Sequence, residues 1–240
     1  MNLTKNDIVL FSGDSITEGN RGLKMDCNHI FGHGYQYIAA AELALRFRTE
    51  SPKFINKAYS GYTMPRLLET WKEDVLDNRP TLLSILDGVN DVTYGFFNNL
   101  TSAELNEMYE NALSEAICRT REVVPDVKIM ICEPFYFPFD RTDLSYKFTP
   151  HPDCEAEFKR PDRDDSEELI SYRVETVQGT RASAKKIAEK YNCAFVPLYD
   201  KFLEAFEGTR REYFIWDGTH PTVAGHMLIA KEWLKAFEEA

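Results

Sequence analysis

Two short segments carry residue types that can do chemistry together. Gly13-Asp14-Ser15-Ile16-Thr17 follows the apolar run Ile8-Val9-Leu10-Phe11, and Trp216-Asp217-Gly218-Thr219-His220-Pro221 stands near the other end of the chain. A strand that stops at a Gly-Asp-Ser turn leaves its serine at the carboxyl edge of a sheet, where α/β proteins gather their ligands. A serine hydroxyl is a poor nucleophile until a base takes its proton, and the base needs a third group to fix its tautomer. His220, with the Asp217 carboxylate three positions earlier, has the types and spacing for those two roles. The chemistry these parts can do is acyl transfer.

That chemistry also needs donors aimed at the oxygen that turns negative in the tetrahedral intermediate. Tyr59-Ser60-Gly61-Tyr62-Thr63 and Asp87-Gly88-Val89-Asn90-Asp91 each follow an apolar run. Glycine at 61 lets a backbone N–H approach the reacting carbon unhindered, and Asn90 offers a side-chain N–H that carries no charge to titrate. Each residue also has a plainer reading: Ser15 as a turn residue, Asp217 as a helix-entry cap, Asn90 as a brace of its own turn. Asp14 is expected to shape the nucleophile turn rather than to transfer protons, and is also a candidate substrate contact. Tyr62, beside Gly61, and Trp216, beside Asp217, are bulky enough to wall a short acyl pocket, and Trp216 reads equally well as core. His29 and His33 have the spacing of helical metal ligands but lie in a glycine-containing stretch with no third ligand, so no metal is expected. His226 falls within a helical pattern and His151 in an irregular stretch, and both are read as structural or exposed.

Short β-branched runs alternate with longer helical patterns, which predicts βαβ units and a parallel sheet covered on both faces. Strands are expected near 7–12, 53–58, 81–86, 127–132 and 194–197. Helices are expected over Tyr35–Phe47, Met64–Leu76, Thr101–Val123 and Thr222–Phe237. The third opens with a capping-box pattern, Thr101-Ser-Ala-Glu104, ahead of a stripe formed by Leu105, Met108, Tyr109, Ala112, Leu113, Ala116 and Ile117. The fourth begins after Pro221, which leaves His220 in the preceding loop. Phe135–Glu168 breaks the rhythm. It is rich in Pro, Asp, Arg and aromatic residues without a period, and reads as an irregular insertion, either a solvated loop or a lid or contact surface. Its mix of aromatics and arginines predicts a homo-oligomer interface.

With 240 residues, 43% of them hydrophobic, residues 1–240 are expected to form one domain. The net charge of −11 argues against nucleic acid and anionic membrane surfaces as partners, since both are polyanions. The polar start, Met1 to Asp7, lacks an apolar signal core, and no run approaches the length of a membrane span, so a cytoplasmic protein is expected. Five cysteines with no C-x-x-C pair do not make a disulfide framework, and Cys118, Cys132 and Cys193 are read as core.

Gly13-Asp14-Ser15, Gly61, Gly88-Val89-Asn90-Asp91 and Asp217-Gly218-Thr219-His220 stand in the order and approximate spacing of the four motif blocks of the SGNH (GDSL-type) hydrolases, which the chain resembles over nearly its whole length. The resemblance implies a flavodoxin-like three-layer α/β/α sandwich around a parallel five-stranded sheet. It also implies Ser15 as nucleophile, His220 as base, Asp217 as its orienter, and an oxyanion hole made of the Ser15 and Gly61 N–H groups with the Asn90 side chain, without a cofactor. Phe54–Gly61, Trp71–Val75, Gly88–Val92, Pro134–Tyr136 and Trp216–Ala230 look like the intracellular acetylxylan esterases of that group, and imply O-deacetylation of xylo-oligosaccharides. The same parts would serve a lysophospholipase or thioesterase, or persist in a non-catalytic carbohydrate-binding domain.

Overall fold

Five short runs pair side by side as β1 (Ile8–Gly13), β2 (Lys53–Ala58), β3 (Leu82–Leu86), β4 (Lys128–Cys132) and β5 (Ala194–Val196). Every pairing is parallel and the order is β2-β1-β3-β4-β5. This is the flavodoxin-like order. The chain is seen here in a computed structural model, which describes residues 2–22, 29–138 and 166–239.

Side-chain alternation along β1 explains the layering. Val9 and Phe11 point to one face, where α2 (Tyr35–Phe47) and α8 (Val223–Glu239) cover them with Tyr35, Leu43, Ile229 and Trp233. Leu10 points to the other face, under α3 (Met64–Glu69), α5 (Ser102–Val123) and α6 (Glu167–Lys190), which contribute Leu67, Leu113 and Ile187. A strand buried on both faces is predominantly apolar, and β3 is buried along its whole length with Ser84 as its one polar residue. The two deepest indoles are satisfied: Trp233 Nε1 donates to Ser84 Oγ at 2.9 Å, and Trp71 Nε1 to Thr120 Oγ1 at 3.0 Å. Among the described residues, no helix is long and apolar enough to cross a membrane.

The expected helices are present, with three adjustments. The run over 64–76 is α3 followed by a π-helical turn, Lys72–Leu76. Two short helices, α4 (Val89–Phe97) and α7 (Tyr199–Phe206), stand where no element was expected, as does the long α6. The buried face of α6 is built largely from Thr176, Thr180, Ser183, Ala184 and Ala188, so it presents no stripe of large apolar residues. The expected insertion at 135–168 also changes at both ends. Phe135, Tyr136 and Phe137 are buried, and Glu167 and Glu168 begin α6, while 139–165 lie outside the described residues with most of the proposed interface. Cys118 is exposed on α5 rather than core, whereas Cys132 is buried.

Candidate active site

β1 ends at Gly13 with φ +148°, and a Cβ there would stand 2.1 Å from the Leu86 carbonyl oxygen of β3. Only glycine admits that approach. The following residue, Asp14, donates its N–H to Leu86 O at 3.3 Å and caps the first turn of α1 (Ser15–Glu18), its Oδ1 accepting from Ile16 N–H at 2.9 Å. Buried Asn56 of β2 holds the other end of that turn, donating from Nδ2 to the carbonyls of Thr17 and Phe31 at 2.8 Å each. Ser15 is thereby fixed, half-buried, at the strand-to-helix corner.

The loop before α8 is cross-tied. Trp216 N–H donates to His220 O at 3.0 Å, Thr222 N–H to Phe214 O at 2.8 Å, and Phe137 N–H reaches across from the β4 side to Gly218 O at 2.9 Å. Inside it, Asp217 Oδ1 accepts from the N–H groups of Thr219 (3.0 Å) and His220 (2.7 Å). Its Oδ2 lies 2.7 Å from His220 Nδ1, and His220 Nε2 lies 2.8 Å from Ser15 Oγ. A proton on Nδ1, held by the carboxylate, leaves the Nε2 lone pair facing the serine hydroxyl. The Trp216 ring lies over the imidazole, 5.8 Å between centroids and 26° apart in plane. Ser15, His220 and Asp217 therefore form one hydrogen-bonded line, a hydroxyl aimed at a base whose far nitrogen is anchored.

Gly61 and Asn90 stand on the same edge of the sheet, after β2 and at the start of α4, and Tyr59 N–H ties the first of these segments to Gly13 O at 2.9 Å. Gly61 has φ +76°, and a Cβ placed on it would meet nothing within 4 Å, so its backbone faces open space. Asn90 Nδ2 donates one hydrogen to Tyr62 O at 2.9 Å, which fixes the amide and leaves the second hydrogen for a ligand. The Tyr62 ring is stacked on Tyr59 at 4.9 Å, with the Arg66 guanidinium 4.1 Å over it.

Three buried carboxyls lie behind these segments. Asp91 accepts Met64 N–H through both oxygens (3.1 and 3.2 Å), and Asp87 Oδ1 accepts Gly88 N–H at 2.8 Å. Burial pushes the Asp14 carboxyl up to about 6 and Asp91 to about 7, and holds Asp87 well above the carboxylate range, where the negative neighbours Asp91 and Asp14 raise it further. Oδ2 of Asp14 and of Asp87 finds no hydrogen bond among the described residues. Asp14 braces the turn after β1, Asp87 the turn after β3, and Asp91 ties α4 to the start of α3, and only Asp14 was singled out from the sequence. The Phe135–Phe137 brace of the base loop was missed as well: Phe137 stacks on Tyr199 (4.6 Å) and packs edge-on to Phe206 (4.9 Å), a contact with α7 that no local pattern reveals.

His226 is half-buried, its Nδ1 accepts from Tyr35 N–H at 3.1 Å, and desolvation pushes it down to about 4. It is a structural acceptor. His151 lies outside the described residues. Among the described residues, no group of three or more His, Cys, Asp or Glu side chains could hold a metal ion, His29 and His33 included.

The family model for GDSL-like lipases and acylhydrolases matches residues 11–228. An acetylxylan esterase from Geobacillus stearothermophilus is 28% identical over 240 residues, covering 98% of this chain and 95% of the relative. A crystal structure of that species' acetylxylan esterase superposes with a TM-score of 0.74 at 26% identity, covering 98% of this chain and 96% of the other. The crystal structure of a GDSL-like protein from Parabacteroides merdae superposes at a TM-score of 0.79 with 30% identity, covering 100% and 99%.

Proposed function

Because the chain belongs to the GDSL-like lipase/acylhydrolase family and is an esterase, we propose that it removes O-acetyl groups from acetylated xylo-oligosaccharides through an acetyl-Ser15 intermediate. The observation that carries the mechanism is the line from Ser15 Oγ through His220 to Asp217, 2.8 and 2.7 Å long at its two links. Ser15 Oγ attacks the ester carbon as its proton passes to His220 Nε2, and the imidazolium is held by Asp217. The carbonyl π electrons move to the oxygen, which the Ser15 and Gly61 N–H groups and the free Asn90 hydrogen stabilise. Collapse breaks the C–O bond to the sugar, whose oxygen takes the proton from His220. Water then repeats the sequence, releasing acetate and restoring Ser15. No cofactor enters.

Support for the sugar substrate comes from the acetylxylan esterase relative, which aligns over nearly the whole of both chains. Trp216 over His220 and the stacked Tyr62 beside Gly61 support a short acyl side, which would suit a methyl group. The setting is the cytoplasm, where free thiols such as Cys118, Cys132 and Cys193 persist. The test is acetate release from acetylated xylo-oligosaccharides together with kcat/KM for aryl acetate, butyrate and octanoate. Each methylene that cannot fit should lower kcat/KM by roughly 10–200-fold. Values that hold or rise with chain length would discard the deacetylase in favour of the lysophospholipase or thioesterase reading. A pure, folded Ser15→Ala variant should lose several orders of magnitude in kcat. Substantial remaining activity would remove Ser15 from the role.

A further inference from the structure

Gly61 and Asn90 also border an open groove of about 470 Å³ between α3 and α4. Its two sides differ in chemistry. From α4, Tyr94 and Phe97 project one helical turn apart, 46% and 68% exposed, large rings that the core does not use. From α3, Arg66 and Glu69 project with the same spacing, and Asn98 stands at the end of α4.

An alkyl chain laid in this groove would cover the guanidinium, carboxylate and amide without returning the hydrogen bonds they make to water, which costs free energy at each. A pyranose ring meets both sides at once, its C–H face against the rings and its hydroxyl edge toward Arg66, Glu69 and Asn98. The opposite signs of Arg66 and Glu69 suit a neutral ligand. The groove starts at the groups assigned to the oxyanion, within reach of a unit joined to the one being deacetylated.

We infer that this groove is a subsite for the sugar neighbouring the acetylated unit, so that the preferred substrate is an oligosaccharide rather than a single acetylated sugar. The inference rests on the deacetylase reading above. Its test is kcat/KM for acetylated xylose, acetylated xylotriose and aryl acetate with the native enzyme, Phe97→Ala and Tyr94→Ala, both at exposed positions. The native enzyme should favour the trisaccharide over the monosaccharide. Each variant should lower the ratio of trisaccharide to aryl acetate kcat/KM by about tenfold, mainly through KM. Equal native rates on mono- and trisaccharide would overturn the subsite and leave the deacetylase standing, as would variants that lower all three substrates alike. Octanoyl esters cleaved faster than acetyl esters, with the gain lost in Phe97→Ala, would overturn both and make the groove an acyl channel.

Discussion

Asn90 gives one amide hydrogen to the Tyr62 carbonyl, so a single side chain joins two loops, and its second hydrogen is the proposed oxyanion donor. The charge that donor is assigned to meet exists only after attack, so Asn90→Ala should lower kcat by on the order of 10²–10³ and alter KM less. A change confined to KM would make Asn90 a substrate-binding residue. Asn90→Asp should do at least as much damage, since it sets a negative charge facing another. Asp217→Asn addresses the tautomer instead. An amide can donate toward Nδ1 and leave the proton on Nε2, where it blocks the base, so kcat should fall by about 10⁴ with the fold retained. Steady-state kinetics on folded variants, with circular dichroism as the control, separate these outcomes.

At the scale of elements, the site depends on how closely strand ends approach. Gly13 is the tightest point, because the atom a side chain would strike is the backbone oxygen of Leu86 in a central strand and cannot rotate away. Gly13→Ala should therefore cost more than about 2 kcal/mol of stability, and it should disturb Ser15 as well. Thr101→Ala provides the contrast. It breaks a capping box on an exposed helix end, where Thr101 and Glu104 satisfy each other's N–H groups, so it should cost about 1 kcal/mol and leave kcat alone. Urea unfolding midpoints with matched kinetics read both. A Gly13→Ala protein as stable as the native one would show that β1 and β3 separate more easily than this packing implies.

For the whole molecule, the buried carboxyls tie stability to pH. Burial raises the folded values of Asp14 to about 6 and Asp91 to about 7, and raises Asp87 further, while an unfolded aspartate titrates near the usual 3.8. Between those limits the folded chain binds more protons than the unfolded chain, so these groups cost nothing below about pH 4 and lower stability progressively as pH climbs toward 7. Asp91→Asn keeps an oxygen for Met64 N–H and removes the titration. The native urea midpoint should accordingly fall more between pH 5 and pH 8 than that of Asp91→Asn. Removing the Asp91 charge also relieves Asp87, which widens the difference. Parallel pH profiles for the two proteins would mean that Asp91 does not titrate in this range.

Much of this molecule is written locally. Strand ends, the Thr101 cap and the α2 and α8 patterns come from periodicity and capping, which depend on residues a few positions apart, so they are legible in the sequence. Four short motifs likewise marked Ser15, Gly61, Asn90, Asp217 and His220 because each follows a strand or precedes a helix. The rest was decided by residues far apart in the chain. Phe135–Phe137 read as part of a loop, yet they are buried, because α7 and Gly218 come from elsewhere to cover and tie them. Helix α6 packs through small hydroxyl and alanine side chains, whose burial is set by how closely α5 approaches and not by their own hydrophobicity. Asp87 and Asp91 carried no reading of their own in the sequence, and they lie with Asp14 in one cluster of buried carboxyls because the ends of β1 and β3 are neighbours in the sheet. The 2.8 Å contact of Ser15 with His220 joins residues 205 apart. Spacing along a chain can name such a pair, but the distance between them belongs to the sheet and helices that carry them.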